Sequence, residues 1–261
     1  MPAGEVTPAL EVDDLHVTLG STAILHGVSL CVDHGDTVAL MGANGSGKST
    51  LVKALVGINP IESGRVSFFG TDTSARGARR VLRRIGYVPQ RIHAGGGVPS
   101  TAIEVVRAGL LGPGRLFART SDTAKARRAL ARVGLEKREN DTVHTFSGGQ
   151  AQRLLIARAL VREPEMLILD EPLAGIDSSS KDSLAHTIAQ MKAEGVTSLI
   201  VLHETGALDD LLDYAITLDG GRVVSVGPPH PPEPGHDHPD HDHVHPHASA
   251  TAHPRTPDLK D

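Results

Sequence analysis

The nine residues Gly42-Ala-Asn-Gly-Ser-Gly-Lys-Ser-Thr50 decide the fold of this chain. The apolar run 37–41 before them predicts a buried strand, and the run 51–56 after them predicts the first turns of a helix. A G-x-x-x-x-G-K-[ST] loop between a strand and a helix is typical of a phosphate-binding site. The loop residues that we expect to bind a nucleotide are Gly42, Asn44, Gly45, Ser46, Gly47, Lys48, Ser49 and Thr50.

The chemistry of this loop suits a nucleotide with its magnesium ion. Its three glycines permit positive φ, so successive N–H groups can turn towards an anion. The helix that follows adds the positive end of its dipole. Lys48 supplies a mobile positive charge for the terminal phosphates, and the Ser49 hydroxyl suits Mg²⁺. The loop therefore predicts a nucleotide site.

Composition narrows the class of protein. The net charge is −5; residues 228–261 hold six acidic and two basic residues, so they contribute −4 and the remainder −1. A nucleic-acid binder usually has a net basic domain with stacking aromatics, so we expect no nucleic-acid partner. The single cysteine, Cys31, permits no internal disulfide, and no apolar run approaches the length of a membrane span. Any role at a membrane should therefore depend on a partner.

The apolar pattern predicts an α/β domain with a helical insertion. Strands alternate with helices on both sides of a stretch, 91–146, that combines flexible loop with amphipathic helix. The strands are expected in 9–41 (two strands, then the one that enters the phosphate loop), 65–69, 85–90, 166–169, 197–202, 215–218 and 222–226, and the helices at 51–56, 79–84, after Thr101, at 121–133 and after Ser147.

Ser147-Gly-Gly-Gln150 opens one of these helices. Serine followed three residues later by glutamine is a capping box, which explains the motif as an ordinary helix start. Two consecutive glycines are nevertheless poor helix formers. Gly148 and Gly149 therefore indicate that some group must approach the backbone closely.

Polar side chains follow three of the predicted buried strands. Asp170 and Glu171 come after 166–169, His203 comes after 197–202, and Gln90 follows a short strand. Ligands of open α/β sheets bind at the carboxyl ends of the strands. Adjacent strand residues point in opposite directions, so both carboxylates can serve one ligand only if the chain turns at Asp170. We expect Asp170 to hold Mg²⁺ and Glu171 to orient a water molecule.

Taken together, these motifs resemble the ATP-binding subunits of ABC transporters over roughly residues 9–227. The resemblance implies a P-loop NTPase fold with a RecA-like α/β core, an antiparallel β subdomain and a helical subdomain at about 91–162. It implies that Ser49, Gln90 and Asp170 surround Mg²⁺, that Glu171 is the catalytic base and that His203 contacts the γ-phosphate of ATP. Ser147, Gly148, Gly149 and Gln150 would cap the ATP of a second copy in a head-to-tail dimer, and Asp177 would lie in the loop that links the two sites.

The resemblance also implies partners, and the chain departs from the family pattern at two positions. Integral membrane permease subunits would dock on residues 91–110, at the cytoplasmic face of the cell membrane, and an extracytoplasmic metal-binding protein would supply the cargo. Members of the family usually have an aromatic residue near position 19, where this chain has Leu19, and His16 is the nearest alternative for adenine. Phe146 stands where a leucine usually begins the signature, a change that keeps the position apolar.

A tail rich in histidine, aspartate and proline follows the predicted domain. Residues 228–261 contain eight of the fifteen histidines, and their composition is typical of a disordered segment. Imidazoles that alternate with carboxylates suit Zn²⁺, with Ni²⁺ or Cu²⁺ also accommodated, and an inert tail is the alternative. The candidate zinc ligands are His236, His238, His241, His243, His245 and His247.

The sequence thus predicts an ATPase subunit that powers the transport of a transition metal, with zinc import as the leading hypothesis. The body resembles the zinc and manganese branch of the family at residues 101–106 and 172–177. Importers of manganese, nickel, siderophores or cobalamin remain alternatives, as does a soluble ABC ATPase that takes no part in transport. Metal storage would explain the tail but not the catalytic motifs.

Overall fold

The structure, a computed structural model, describes residues 7–75, 78–90, 100–112, 115, 117, 119 and 121–229. Within these residues the chain forms two sheets and six α-helices. The strands are β1 (Leu10–Leu19), β2 (Thr22–Val32), β3 (Thr37–Met41), β4 (Ser63–Phe68), β5 (Thr71–Asp72), β6 (Ile85–Val88), β7 (Met166–Asp170), β8 (Thr197–Val201), β9 (Tyr214–Asp219) and β10 (Arg222–Gly227). The helices are α1 (Lys48–Leu55), α2 (Ala78–Val81), α3 (Ala102–Ala108), α4 (Ser121–Arg132), α5 (Gly148–Leu160) and α6 (Ser178–Ala193).

The smaller sheet is antiparallel and has the order β2-β1-β4-β5. Its first two strands form a hairpin in which Leu19 lies opposite Thr22, across the turn predicted at Gly20. Gly20 has φ +63°, a conformation that glycine adopts without the steric cost of a Cβ. The predicted antiparallel subdomain is present as this sheet.

The larger sheet has the order β10-β9-β3-β8-β7-β6. Its neighbours from β9 to β6 are parallel, and β10 pairs antiparallel with β9. The register aligns Leu40 with Val201, Val201 with Asp170 and Leu169 with Val88. The carboxyl ends of β3, β8, β7 and β6 therefore lie at one edge of the sheet. The predicted α/β fold class is confirmed.

Side chains of the parallel strands alternate between two hydrophobic cores. In β3, Val38 and Leu40 join the core that α1 and the antiparallel sheet cover, whereas Ala39 joins the core beneath α5 and α6. In β7, Ile168 faces the first core and Leu169 the second. Such strands, buried on both faces, are the reason for the continuous apolar runs in the sequence.

The helices between β6 and β7 correspond to the predicted insertion. A capping box of Thr101 and Glu104 begins α3, at the predicted position of a helix start, and the predicted capping box of Ser147 and Gln150 begins α5. The helix predicted at 79–84 is instead a single α-turn, α2, followed by a 3₁₀ turn at Leu82–Arg84. The boundaries proposed for the domain and for its helical part, 9–227 and 91–162, stay predictions.

Two predicted regions lie partly or wholly outside the described residues. Residues 91–99 of the expected permease-docking region are outside them, and so are all six histidines proposed as zinc ligands. In the part of the chain that the structure describes, no helix combines the length and the apolar character needed to cross a membrane.

Candidate nucleotide site

The phosphate loop joins β3 to α1 and depends on glycine at two close approaches. Gly42 has φ +140°, and a Cβ on it would lie 2.1 Å from the carbonyl oxygen of Leu218. Gly47 has φ +105°, and its Cβ would lie 2.8 Å from a methyl group of Leu25. The loop therefore packs against β9 and β2 so closely that larger residues do not fit.

Lys48 is folded back over the loop. Its Nζ donates hydrogen bonds to the carbonyl oxygens of Gly42, at 2.7 Å, and Ala43, at 2.9 Å, and the residue is buried. Ser46 is buried as well, and its Oγ has no hydrogen-bond partner among the described groups. Asn44 and Gly45 are exposed, and Thr50 is half-buried. A buried cation beside an unpartnered hydroxyl is a suitable environment for an anionic ligand.

Asp170, at the end of β7, lies beside the start of α1. The Ser49 Oγ is 3.4 Å from its Oδ1, and the hydroxyl of Tyr87 on β6 also hydrogen-bonds to it. Burial raises the pKa of Asp170, and the charge of Glu171 raises it further, against the lowering effects of Ser49, Lys53 and Tyr87. Burial and the neighbouring Asp170 raise the pKa of Tyr87 to about 12. The sequence motifs did not predict a role for Tyr87. The one feature that pointed to it is a hydroxyl group in an otherwise apolar strand.

Glu171 turns away from the strand and meets two of the predicted residues. Its φ of +49° is the left-handed conformation, so the turn that both carboxylates require falls at Glu171 and not at Asp170, which still belongs to β7. Gln90 donates a hydrogen bond from Nε2 to Glu171 Oε2, and His203 Nε2 lies 2.9 Å from Oε1. The Glu171 side chain is 15% exposed and that of His203 44%. The structure thus brings Ser49, Gln90, Asp170, Glu171 and His203 to one edge of the sheet.

The Ser147–Gln150 segment forms the start of α5 and makes a different set of contacts. Gly149 is buried, and a Cβ on it would lie 2.2 Å from Ser180 Oγ of α6; a Cβ on Gly148 would meet nothing closer than 3.6 Å. The group that approaches the paired glycines is thus Ser180 of the same chain, and it approaches Gly149 only. These contacts join the segment to α6 and do not join it to the cluster at the sheet edge.

Asp177 is the N-cap of α6 and is exposed. Its carboxylate accepts hydrogen bonds from the hydroxyls of Ser179 and Ser180, at 2.7 Å each, and from the Ser180 N–H at 3.0 Å. These bonds lower the pKa of Asp177. The residue therefore orders the start of α6, next to Gly149.

The two residues considered for adenine lie in β1. Leu19 is 39% exposed at the end of that strand. His16 is paired instead, with its Nε2 3.2 Å from Asp14 Oδ1. The structure therefore leaves Leu19 as the apolar surface at the position where an aromatic residue was expected.

The sequence comparisons agree with this geometry. The sequence profile of the ABC transporter family matches residues 25–174. The manganese transport system ATP-binding protein MntB of Bacillus subtilis is 34% identical over 221 residues, which cover 84% of this chain and 86% of MntB. This chain belongs to the ABC transporter family.

Two further relatives are zinc transport proteins, and the fold has close counterparts. The zinc transport system ATP-binding protein TroB of Treponema pallidum is 34% identical, covering 84% of this chain and 81% of TroB. The zinc import ATP-binding protein ZnuC of Pseudomonas putida is 35% identical, covering 80% and 74%. A nucleotide-free ATP-binding cassette from an ABC transporter, 26% identical, superposes with a TM-score of 0.77 over 85% of this chain and 91% of that one. A phosphonates import protein has comparable identity, so identity alone does not select the cargo.

Membership of the family defines the general activity. The chain is an ATP-binding subunit that hydrolyses ATP to power transport, and subunits of this kind dimerise and work with membrane permease subunits. ATP hydrolysis in such proteins typically needs Mg²⁺. The oxygen atoms available from Ser49, Asp170 and the Gln90 amide are the hard donors that Mg²⁺ prefers, and they fit that ion.

Proposed function

We propose that the cluster at the sheet edge hydrolyses ATP with the residue roles that follow. The loop amides and Lys48 bind the phosphates, so the lysine exchanges its two carbonyl acceptors for phosphate oxygens. Ser49, Gln90 and Asp170 hold Mg²⁺, which neutralises phosphate charge when it is bound. The carbonyl acceptors of Lys48 lie within the loop itself, so this exchange needs no rearrangement of the sheet.

Glu171 acts as the general base in this proposal. Its carboxylate accepts a hydrogen bond from Gln90 at Oε2 and lies 2.9 Å from His203 Nε2 at Oε1, and these two contacts fix its direction at the carboxyl end of β7. A base held in this way can orient a water molecule for attack on the γ-phosphate. In this proposal His203, which is more exposed than Glu171, contacts that phosphate. The observation that carries the proposal is this convergence of two side chains on Glu171.

We further propose that two copies pair head to tail and enclose two ATP molecules. The Ser147–Gln150 segment presents the first N–H groups of α5, which have no acceptors within the helix. Such a helix start can bind the γ-phosphate held by the other copy. Asp177 lies beside this segment, through Ser180 and Gly149, and so can link the two sites. Closure of the pair would drive permease subunits at the cytoplasmic face of the cell membrane.

Zinc import is the transport reaction that the observations support best. Relatives that cover most of this chain include zinc and manganese transport proteins, and one is named for zinc import. Between those two metals the histidines of the tail favour zinc, because imidazole is a preferred ligand of Zn²⁺ whereas manganese prefers oxygen donors. An extracytoplasmic metal-binding protein would deliver the ion to the permease. The tail would then buffer zinc on the cytosolic side, through His236, His238, His241, His243, His245 and His247.

Uptake of labelled zinc and manganese by cells tests this proposal. We expect Glu171→Gln to reduce ATP hydrolysis by at least about 100-fold, because a neutral amide cannot accept the proton, while ATP still binds. Zinc uptake should fall with it and manganese uptake should not. Glu204→Gln, a neighbouring carboxylate that is 83% exposed, is the matched control and should retain uptake. Loss of manganese uptake alone would contradict the zinc assignment, and unchanged uptake of both metals would reject metal transport.

A further inference from the structure

One arginine outside the predicted site contacts the Ser147–Gln150 segment and its surroundings. Arg138 Nη1 donates to Gln150 Oε1 at 2.7 Å, and its Nη2 lies 3.2 Å from Thr145 Oγ1. Its Nε donates to Asp141 at 2.6 Å, and its guanidinium lies 4.5 Å from the centre of the Phe146 ring. A planar guanidinium can satisfy all these contacts at once, whereas an ammonium group cannot.

The contact with Gln150 acts directly on the start of α5. Gln150 Oε1 accepts a second hydrogen bond from the Ser147 N–H at 3.0 Å, and Ser147 Oγ accepts in turn from the Gln150 N–H at 3.3 Å. Arg138 therefore fixes the glutamine side chain of the capping box, and that side chain fixes the serine. The Arg138 side chain is 30% exposed, so its contacts are partly shielded from water.

The same stretch of chain is also joined to the start of α3. The N–H of Ala102 donates to the Asp141 carbonyl at 3.0 Å, and the N–H of Ile103 to that of Glu139 at 2.9 Å. On the other side, the Val143 N–H donates to the Ser100 carbonyl at 3.0 Å. Arg138 thus lies between the starts of α3 and α5, in a stretch of chain whose backbone hydrogen-bonds to the first and continues into the second.

We propose that Arg138 is a positioning residue for the ATP site that two copies of the chain enclose between them. By holding Gln150 and Ser147, it keeps the first N–H groups of α5 in the orientation that meets the phosphate bound by a second copy. It also couples that orientation to the start of α3, so a movement of α3 would change the orientation of these N–H groups towards the nucleotide. This inference rests on the proposed head-to-tail pairing and adds a residue that has no contact with ATP itself.

The test uses the full chain and compares Arg138→Met with wild type. We expect kcat for ATP hydrolysis to fall about tenfold, because the helix start is no longer held in one orientation. ATP binding by the isolated subunit should change less than about twofold, because the phosphate loop is untouched. Arg132→Met is the control and should leave kcat unchanged. It removes an arginine at the end of α4 that pairs with Glu194. A kcat for Arg138→Met within twofold of wild type would overturn the proposal.

A double-mutant cycle separates positioning from general destabilisation. If Arg138 acts through Gln150, Arg138→Met combined with Gln150→Ala should have the kcat of the more impaired single variant. If the fold-losses in kcat of the two single variants instead multiply in the double variant, Arg138 acts elsewhere and the inference is overturned. Arg138→Lys should recover part of the lost kcat, since it retains one donor for Gln150, and it serves as the second variant if Arg138→Met does not fold.

Ser147→Arg distinguishes failure of this inference from failure of the pairing. It should abolish the ATP-dependent dimer of the Glu171→Gln protein, measured by sedimentation, because it fills the surface that would face the second nucleotide. If Ser147→Arg leaves that dimer intact, the proposed pairing fails and Arg138 loses its role with it. If Ser147→Arg abolishes the dimer but Arg138→Met does not weaken it or lower kcat, only the role of Arg138 is rejected.

Discussion

At the scale of single residues, Asp170 shows that a side chain suited to ligand binding can destabilise the folded protein. The carboxyl group is buried next to a second carboxylate, and both features raise its pKa above the ordinary value of 3.8. Ser49 and Tyr87 compensate only in part, through hydrogen bonds to it. A buried charge without a full set of partners destabilises the folded protein until a cation arrives.

Asp170→Asn should therefore make the nucleotide-free protein more stable while abolishing hydrolysis. We expect a rise in melting temperature of about 2–4 °C near neutral pH. The sign follows from the raised pKa: the ionised form is disfavoured in the folded state, so its cost appears as pH rises through that pKa and is absent below about pH 4. Melting curves across this range, with Asp182→Asn at an exposed position of α6 as control, check the prediction. A lower melting temperature at neutral pH would contradict it.

The sequence predicted which residues meet at the sheet edge, but not how they are held. Gln90, Asp170 and His203 could be anticipated because each follows a buried strand, and parallel strands end at a common edge. The contact of Tyr87 with Asp170 and the folding of Lys48 onto carbonyl oxygens could not. They depend on side-chain packing between segments that are far apart in sequence, and local patterns do not contain that information.

At the scale of elements, the start of α5 shows why paired glycines should be considered one at a time. The sequence motif treats Gly148 and Gly149 alike. The structure separates them, because α6 crosses against Gly149 and leaves room at Gly148. The capping box that orders the helix was predictable from four residues, whereas the crossing of α6 depends on the tertiary fold.

Of the two changes Gly149→Ala and Gly148→Ala, only the first should consequently lower stability. Gly149→Ala places a methyl group against Ser180, an overpacking that costs about 1–3 kcal/mol. Gly148→Ala has open space and should leave stability unchanged or slightly raise it, since alanine is the better helix former. Urea unfolding without nucleotide measures both. Ser180→Gly removes a hydrogen bond to Asp177 and is expected to destabilise the wild type, but it should destabilise the Gly149→Ala protein less, because it also removes the clash. An equal loss of stability in the two backgrounds would show that Ser180 is not the source of the clash.

At the scale of the whole molecule, the parallel sheet lies between two cores and carries the site at one edge. One core joins the sheet to the antiparallel strands and α1, and the other joins it to α5 and α6. The phosphate loop and the start of α5 therefore belong to opposite faces of the sheet. The continuous apolar runs of β3 and β7 predicted strands that are buried on both faces, but the order of the strands was not visible in the sequence.

The tail should bind metal independently of the ATPase body. Deletion of residues 228–261 is expected to remove most zinc bound in equilibrium dialysis while ATP hydrolysis stays within about twofold, because the catalytic cluster lies wholly within the body. Zinc binding should weaken below about pH 6.5, where imidazoles become protonated and cease to be ligands. A full-length variant with the six histidines of 236–247 changed to asparagine keeps the length and should behave like the deletion. Unchanged zinc binding in either variant would reject the tail as a metal site.

The folded-back Lys48 has a consequence for the kinetics of nucleotide capture. Because Gly42 and Ala43 already accept hydrogen bonds from its ammonium group, the loop has its shape before any ligand arrives. Incoming phosphates then replace acceptors that are present, and no segment of chain needs to become ordered at that moment. Capture of ATP is accordingly expected to be limited by diffusion, and the lifetime of the bound state, rather than the speed of association, should distinguish strong from weak nucleotides.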